Sequence, residues 1–310
     1  MTNPNTPETP RILCLGRVRS SVMIACLMLV SVAEAQDQSL RARVEALDLD
    51  SMTVGRVTTL FAPNDRSRAR QLAELSEAAA TFFEQQLGVS FTLRLAVLGP
   101  QDWFSPYGGG LPYGIPWCSV AERVMVVPAS LKEGVLIDGR NAREDRWRVD
   151  FVTLHELGHL TAKQYFHPTS THEEMPVLWF EELTATYFAY GFVRSINQDW
   201  AESARADWIA RVKAYTPRKL SLDWSFMRTL PADELGPTYG WYQNVLNLRV
   251  ADVYSKHGLA FLRTLKQNLP LNTMDNWTTS SLLESLEQMS PGFQEWADEL
   301  QKGGKGARKN

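Results

Sequence analysis

The sequence predicts an α+β fold: a small mixed or antiparallel sheet, one edge strand of which packs on a histidine-bearing helix, followed by a mainly helical C-terminal part. Three observations predict it. Phe91, Leu93, Leu95 and Val97 recur at every second position, the period of a half-buried strand. Leu72, Leu75, Ala79, Phe82, Phe83 and Leu87 recur at three- and four-residue steps before Gly88, the period and the stop of an amphipathic helix. From residue 148 onward the apolar residues keep the helical period.

Met52 to Pro63 reads as a first strand, with Val54, Val57 and Leu60 among polar neighbours, and Asn64-Asp65 opens the helix that Gly88 ends. The second strand runs from Phe91 to Gly99-Pro100, and the glycines and prolines of 108–116 make a loop. Arg123 to Pro128 is a short apolar run closed by proline, which suits the rim of a sheet. Asp138 to Arg148 is polar and reads as a surface loop, the seam between an N-terminal α/β part (36–147) and a helical part (148–302). Helices are expected near 149–166, 177–193, 200–215, 239–257, 259–269, 280–289 and 291–302. Ser290 and Pro291 serve the last as N-cap and first helical residue, and 303–310 is a frayed tail. There are no internal repeats.

Thirty-two basic and 35 acidic residues give a net charge of −3, which calls for neither nucleic acid nor an anionic membrane as partner. Arg11, Arg17 and Arg19 precede the apolar run Val22–Val32 and Ala33-Glu34-Ala35, the layout of a secretory signal peptide (1–35) cleaved after Ala35. The run is too short to cross a bilayer, so no stable span is expected after cleavage, and the protein is expected to be secreted or periplasmic. Lipid attachment at Cys26 is a minor alternative. Cleavage removes Cys14 and Cys26 and leaves Cys118 alone, so no internal disulfide can form in the exported chain.

His155-Glu156-Leu157-Gly158-His159 places two histidines four apart, which stacks both imidazoles on one helix face within reach of one metal. Glu156 stands beside the open coordination position, where a base takes a proton from an activated water. Leu154, Leu157 and Leu160 make the helix apolar and buried, and buried histidines need partners. For the third ligand, a histidine six residues on is excluded because Tyr165 stands there. His167 beside Pro168 and His172 in a polar loop read as solvated. Glu181 and Glu182 on the next helix remain. Glu182 shares a face with Ala185 and Ala189, small residues that let two helices approach, and is favoured. Glu181 is then an outward-facing or supporting charge.

These residues resemble the gluzincin metallopeptidases, in particular the secreted peptidase MA-like proteins. The likeness rests on His155 to His159 and on Trp179-Phe180-Glu181-Glu182-Leu183-Thr184-Ala185, similar to the family's Trp-x-x-Glu-Gly-x-Ala ligand helix, and extends over roughly Phe91 to Leu300. Leu183 replaces a frequent glycine, and Thr186 stands where some relatives carry an acid. The resemblance implies a thermolysin-like zincin architecture and one zinc ion per chain on His155, His159 and Glu182. It also implies Glu156 as general base and a tyrosine that donates to the oxyanion. Pro237-Thr238-Tyr239-Gly240-Trp241-Tyr242 offers two tyrosines three apart, Tyr239 behind an N-cap at Thr238 and Tyr242 by its distance from Gly258. A core role for both is the alternative.

Zinc on two imidazoles and a carboxylate keeps a position for water and lowers its pKa toward about 7. The expected activity is peptide hydrolysis, with a peptide or protein substrate aligned along the Arg123–Val127 strand. Two other readings fit the same residues: a non-catalytic zinc protein that binds a peptide or cell-envelope partner, and a zinc hydrolase of non-peptide amides or esters.

Overall fold

The computed structural model describes residues 39–104, 113, 116–130, 146–166, 177–217, 220–269 and 277–302. The signal-peptide region, the 138–148 seam, His167 and His172, and the C-terminal tail lie outside or largely outside these residues.

A short helix, α1 (Leu40–Glu45), opens the described chain. Ser39 caps it by accepting from Ala42 N, and the Glu122 carboxylate accepts from the backbone N–H groups of Leu40 and Arg41. The stretch read as one strand is a hairpin, β1 (Asp50–Val54) and β2 (Val57–Phe61), paired antiparallel and turned at Gly55-Arg56. Its two-residue connection is what an antiparallel pair needs. A 3-10 turn (Pro63–Asp65) leads into α2 (Arg66–Leu87), which ends where Gly88 adopts the left-handed conformation at φ +69°.

The sheet is completed by β3 (Leu93–Leu98), β4 (Trp117–Ser119) and β5 (Val124–Pro128), in the order β1-β2-β3-β5-β4. The β2–β3 and β3–β5 pairs are parallel and the two outer pairs antiparallel, so the sheet is mixed. This corrects one expectation: β5 is interior, and β4 lies outside it. Pro128 is accommodated because it is the last residue of its strand, where the missing N–H breaks no ladder. β3 is also buried more fully than its alternation suggests, because the sheet is covered on both faces. Leu93, Leu95, Val97, Met125 and Val127 enter the main core, while Ala96, Leu98, Val124 and Val126 meet Leu40 and Val44 of α1.

Helices α3 (Arg146–Phe166), α4 (Leu178–Ile196), α5 (Gln198–Ala214), α6 (Ala232–His257), α7 (Ala260–Asn268), α8 (Thr279–Met289) and α9 (Phe293–Gln301) follow, with a 3-10 turn at Trp224–Thr229. Helix α4 is buried almost all round, the mark of an element at the centre of a domain. It packs on α3, α5 and α6, and Phe188 meets Phe83, Phe166 and Tyr165 edge to face. Each such buried ring contributes about 1.5–3 kcal/mol by leaving water.

Two helix starts differ from expectation. α6 begins at Ala232 with Pro231 as N-cap, so Thr238 lies inside it, buried, its hydroxyl 3.0 Å from the Tyr215 hydroxyl. Pro237 stands inside the helix, past its first turn, and withholds the bond that an N–H there would make to Asp233. α9 is capped by Gly292 at φ +100°, and Ser290 instead ends α8. The Glu287 carboxylate takes up the backbone N–H groups of Gly292 and Gln294, doing the work expected of a serine cap. No helix among the described residues is long and apolar enough to cross a membrane.

Candidate metal centre

Four elements meet at the histidine pair. Helix α3 carries His155, Glu156 and His159, α4 carries Glu181, Glu182 and Thr186, α6 carries Tyr239, Gln243 and Asn247, and β4 carries Cys118. What brings α3 and α4 together is Gly158. A Cβ there would stand 2.2 Å from the carbonyl oxygen of Ala185 and 2.8 Å from its carbon, so only a residue without a side chain permits this approach. The close contact falls between the two histidines in sequence and one turn past Glu182, which sets the reach of Glu182 across the gap.

His155 Nε2 lies 3.0 Å from Glu182 Oε2 and 3.1 Å from His159 Nε2, and His159 Nε2 lies 3.9 Å from the same glutamate oxygen. A tetrahedral zinc with bonds of about 2.0–2.2 Å holds neighbouring donors about 3.3–3.6 Å apart, so the three distances bracket what one ion needs. The donor set, two imidazole nitrogens and one carboxylate oxygen, is of the kind zinc accepts in sites that keep a position open. His155, Glu156 and His159 also offer donor atoms that all lie within 4.8 Å of one another, which places the Glu156 carboxylate beside the pair.

The outer nitrogen of each histidine is held differently. Thr186 Oγ1 donates to Asn247 Oδ1 at 3.0 Å, so its oxygen accepts from His155 Nδ1 at 3.1 Å. That relay orients the ring through Nδ1 and turns Nε2 toward Glu182. His159 Nδ1 lies 3.3 Å from Glu181 Oε1 without hydrogen-bond alignment, an electrostatic contact. Gln243 Nε2 donates to Glu182 Oε2 and to the Tyr239 hydroxyl oxygen, each at 3.0 Å.

Burial disfavours a charged imidazole at His159, but the carboxylates of Glu181, Glu182 and Glu156 outweigh it and raise its pKa to about 10. Burial likewise works against an ionised Glu182, yet the hydrogen bond from His155, the charge of His159 and the amide of Gln243 bring it down to about 2. Glu156 goes the other way. Burial pushes its carboxyl up, Glu182 adds to the rise, and the histidines and the Cys118 thiol, which hydrogen-bonds it, pull it partly back. A carboxylate with a raised pKa next to a strongly ionised one is the separation of roles expected of a proton acceptor beside a ligand.

The residues singled out by sequence are placed as follows. His155, His159, Glu182, Glu156 and Tyr239 come together. Glu181 faces His159 rather than solvent. Tyr242 is fully buried and donates to the carbonyl oxygen of Leu222 at 3.3 Å, on the core side of α6. Tyr165 is buried in the core. Sequence reasoning does not place Gln243, Asn247 or Cys118 at the site. Tyr239, Gln243 and Asn247 follow one another at four-residue steps, which puts them on one helix face, and that spacing is the available signal.

No family model matches the chain, and no curated protein does. Among solved structures, it is similar to an M1 zinc metallopeptidase from Deinococcus radiodurans. A mutant of that enzyme bound to a Tyr-Ser-Ala substrate aligns at 16% identity and a TM-score of 0.42, over 82% of this chain and 50% of that one. A two-domain M1 zinc metallopeptidase mutant bound to L-tryptophan aligns at 15% identity and 0.42, over 80% and 50%. The unmutated Deinococcus radiodurans enzyme aligns at 16% and 0.40, over 80% and 50%. The chain spans about half the length of the solved structures it matches.

Proposed function

We propose that the chain is a zinc-dependent peptidase, with His155, His159 and Glu182 as the ligands of one zinc ion. The observation that carries the reading is the convergence of His155 Nε2, His159 Nε2 and Glu182 Oε2 within 3.0–3.9 Å, with the Glu156 carboxylate beside them. Zinc bound there supplies a Lewis acid that polarises a carbonyl and acidifies a water.

The remaining work falls to the chain's own groups. Glu156 accepts a proton from the attacking water and returns it to the departing amine, and its raised pKa suits both steps near neutral pH. Tyr239, held by Gln243 at the edge of the ligand cluster, donates its hydroxyl proton to the oxyanion that forms as the carbonyl is attacked. The substrate's backbone pairs with β4, the edge strand beside β5, as an added strand. That strand also carries Cys118, whose thiol touches Glu156, so a peptide laid along it passes the base. The same reading takes the protein to be exported, on its N-terminal pattern.

Digestion of a peptide library tests this, with Glu156→Gln as control. Cleavage by the zinc-loaded protein and its loss in a variant that still holds zinc are expected. A variant as active as the parent excludes Glu156 as base. A zinc protein that cleaves no peptide favours the binding-protein reading or a non-peptide substrate.

A further inference from the structure

The geometry points to Gln243 as a positioning residue that ties the ligand carboxylate of Glu182 to the hydroxyl of Tyr239 through a single amide group. The inference rests on the proposed zinc site, and in its catalytic half on the peptidase reading as well.

Gln243 Nε2 carries two hydrogens and stands 3.0 Å from each of two oxygens, Glu182 Oε2 and Tyr239 Oη. A carboxylate oxygen accepts where an amide N–H donates, and it is Gln243 Nε2 that stands at Glu182 Oε2, so the side-chain amide turns its nitrogen, not its oxygen, toward the site. With that orientation settled, the second N–H is committed to the tyrosine oxygen. A hydroxyl that accepts from an N–H cannot donate back to it, so the Tyr239 proton points away from Gln243. A tyrosine meant to serve as donor to a developing oxyanion requires that arrangement.

The same amide also acts on the metal side. Glu182 Oε2 is the oxygen that faces both imidazoles, and it is this atom, not its twin, that receives the Gln243 bond. The bond fixes which oxygen is presented and holds the carboxylate plane against rotation, the service that outer hydrogen bonds perform for metal ligands. Gln243 and Tyr239 are one helical turn apart on α6, whereas Glu182 comes from α4. A shift of one helix against the other therefore moves the ligand and the donor together. Without Gln243 the two would be independent.

Gln243→Met removes both donors at similar length, and Gln243→Glu keeps the shape but turns an acceptor toward Glu182. Zinc affinity is measured by competition against a chromophoric chelator, and kcat and KM on a cleaved peptide at saturating zinc. Each variant should lose about 10-fold in zinc affinity, Gln243→Glu the more. Each should also lose about 10-fold in kcat with KM little changed, metal-free unfolding temperatures serving as the folding control. Tyr239→Phe should lose kcat and keep its zinc affinity. In the Tyr239→Phe background, Gln243→Met should lower kcat little further while still weakening zinc, the signature of two residues acting as a unit.

Unchanged zinc affinity in both Gln243 variants overturns the inference whatever the enzyme does, as does a kcat loss that adds in full to that of Tyr239→Phe. If the parent protein binds zinc but cleaves nothing, the peptidase reading and the Tyr239 half fall together. A zinc loss in Gln243→Met then still upholds the hold on Glu182, so the two failures are told apart.

Discussion

Gly158→Ala is the substitution that separates packing from ligation most sharply, because it adds one methyl group to the ligand helix and touches no donor. An ideal Cβ at position 158 stands 2.2 Å from the Ala185 oxygen, 2.8 Å from its carbonyl carbon and 3.0 Å from its Cα. Ordinary carbon-to-oxygen approach stops at about 3.3 Å, so α3 and α4 must part by about 1 Å. The obstruction is helix backbone, which cannot swing aside as a side chain would. Overpacking of this kind costs about 1–3 kcal/mol, offset by about 0.5–1 kcal/mol from replacing a helical glycine. The net loss of about 0–2.5 kcal/mol corresponds to at most roughly 10 °C in Tm. The effect on the metal is larger. Ligand distances must hold within about 0.2 Å, and a 1 Å separation of the helix bearing His155 and His159 from that bearing Glu182 exceeds it several times. Zinc affinity should fall by at least about 10–100-fold, read by chelator competition alongside thermal unfolding of the metal-free protein. Gly191→Ala is the control on the same α4 helix. Its Cβ would meet Tyr254 Cε2 at 3.0 Å, Leu259 Cδ2 at 3.2 Å and Tyr254 Cζ at 3.7 Å, side-chain atoms and not backbone, and zinc affinity should stay within about twofold. A Gly158→Ala protein with parental Tm and parental zinc affinity would refute the close-approach argument.

Comparing Glu182→Gln with Glu181→Gln in metal content should show the greater loss in Glu182→Gln, with Glu181→Gln costing about 10–100-fold through the orientation of His159; the reverse order reassigns the third ligand. Tyr239→Phe should lower kcat by about 10²–10³ and leave Tm near the parent, whereas Tyr242→Phe should cost about 1 kcal/mol of stability through its lost bond to Leu222 and leave kcat unchanged. In the metal-free protein the His159 pKa is raised to about 10, above the ordinary value of about 6.5. Its contribution to stability is therefore complete below about pH 6.5 and is lost as the pH rises through about 10. As a ligand the ring must be neutral, so zinc binding near pH 7.5 should release a proton from it and tighten about tenfold per pH unit; calorimetry in buffers of different ionisation enthalpy measures this, and no proton release would show that His159 is already neutral.

What the sequence disclosed and what it concealed divide by how local each signal is. The histidine pair with Glu156 could be read directly because four-residue spacing on a helix decides which side chains share a face. Glu182 could be read one step further, since Ala185 and Ala189 marked the face on which α4 comes close. The hairpin at Gly55 was hidden because a two-residue turn interrupts the apolar alternation too briefly to break it. The rank of β5 in the sheet was hidden for a deeper reason. Strand order is a property of pairing across the chain, and a run closed by proline looks the same at an edge as beside a three-residue strand such as β4. The start of α6 is concealed because Thr238 before Tyr239 reads as an N-cap, although the helix runs through Pro237 and Thr238 from Ala232. Gln243 and Asn247 carried a local signal, their four-residue steps from Tyr239, but nothing in one helix says that this face meets two others.

The distribution of charge around the histidines argues for a dication on grounds separate from distance. Glu156, Glu181 and Glu182 gather three carboxyl groups around two imidazoles in a region mostly closed to water, their side chains and the rings of His155 and His159 being largely covered. With neutral rings the cluster is strongly negative, and a buried excess of like charge is costly. In the metal-free protein His159 relieves part of it by holding a proton. A zinc ion in its place supplies two positive charges where the proton supplied one, and all three donor atoms already point there. Thr186 fits the same account. An acid at that position would orient His155 equally well but would add a fourth negative charge. The neutral relay through Asn247 orients the ring without it, which would leave a bound dication more of its positive charge.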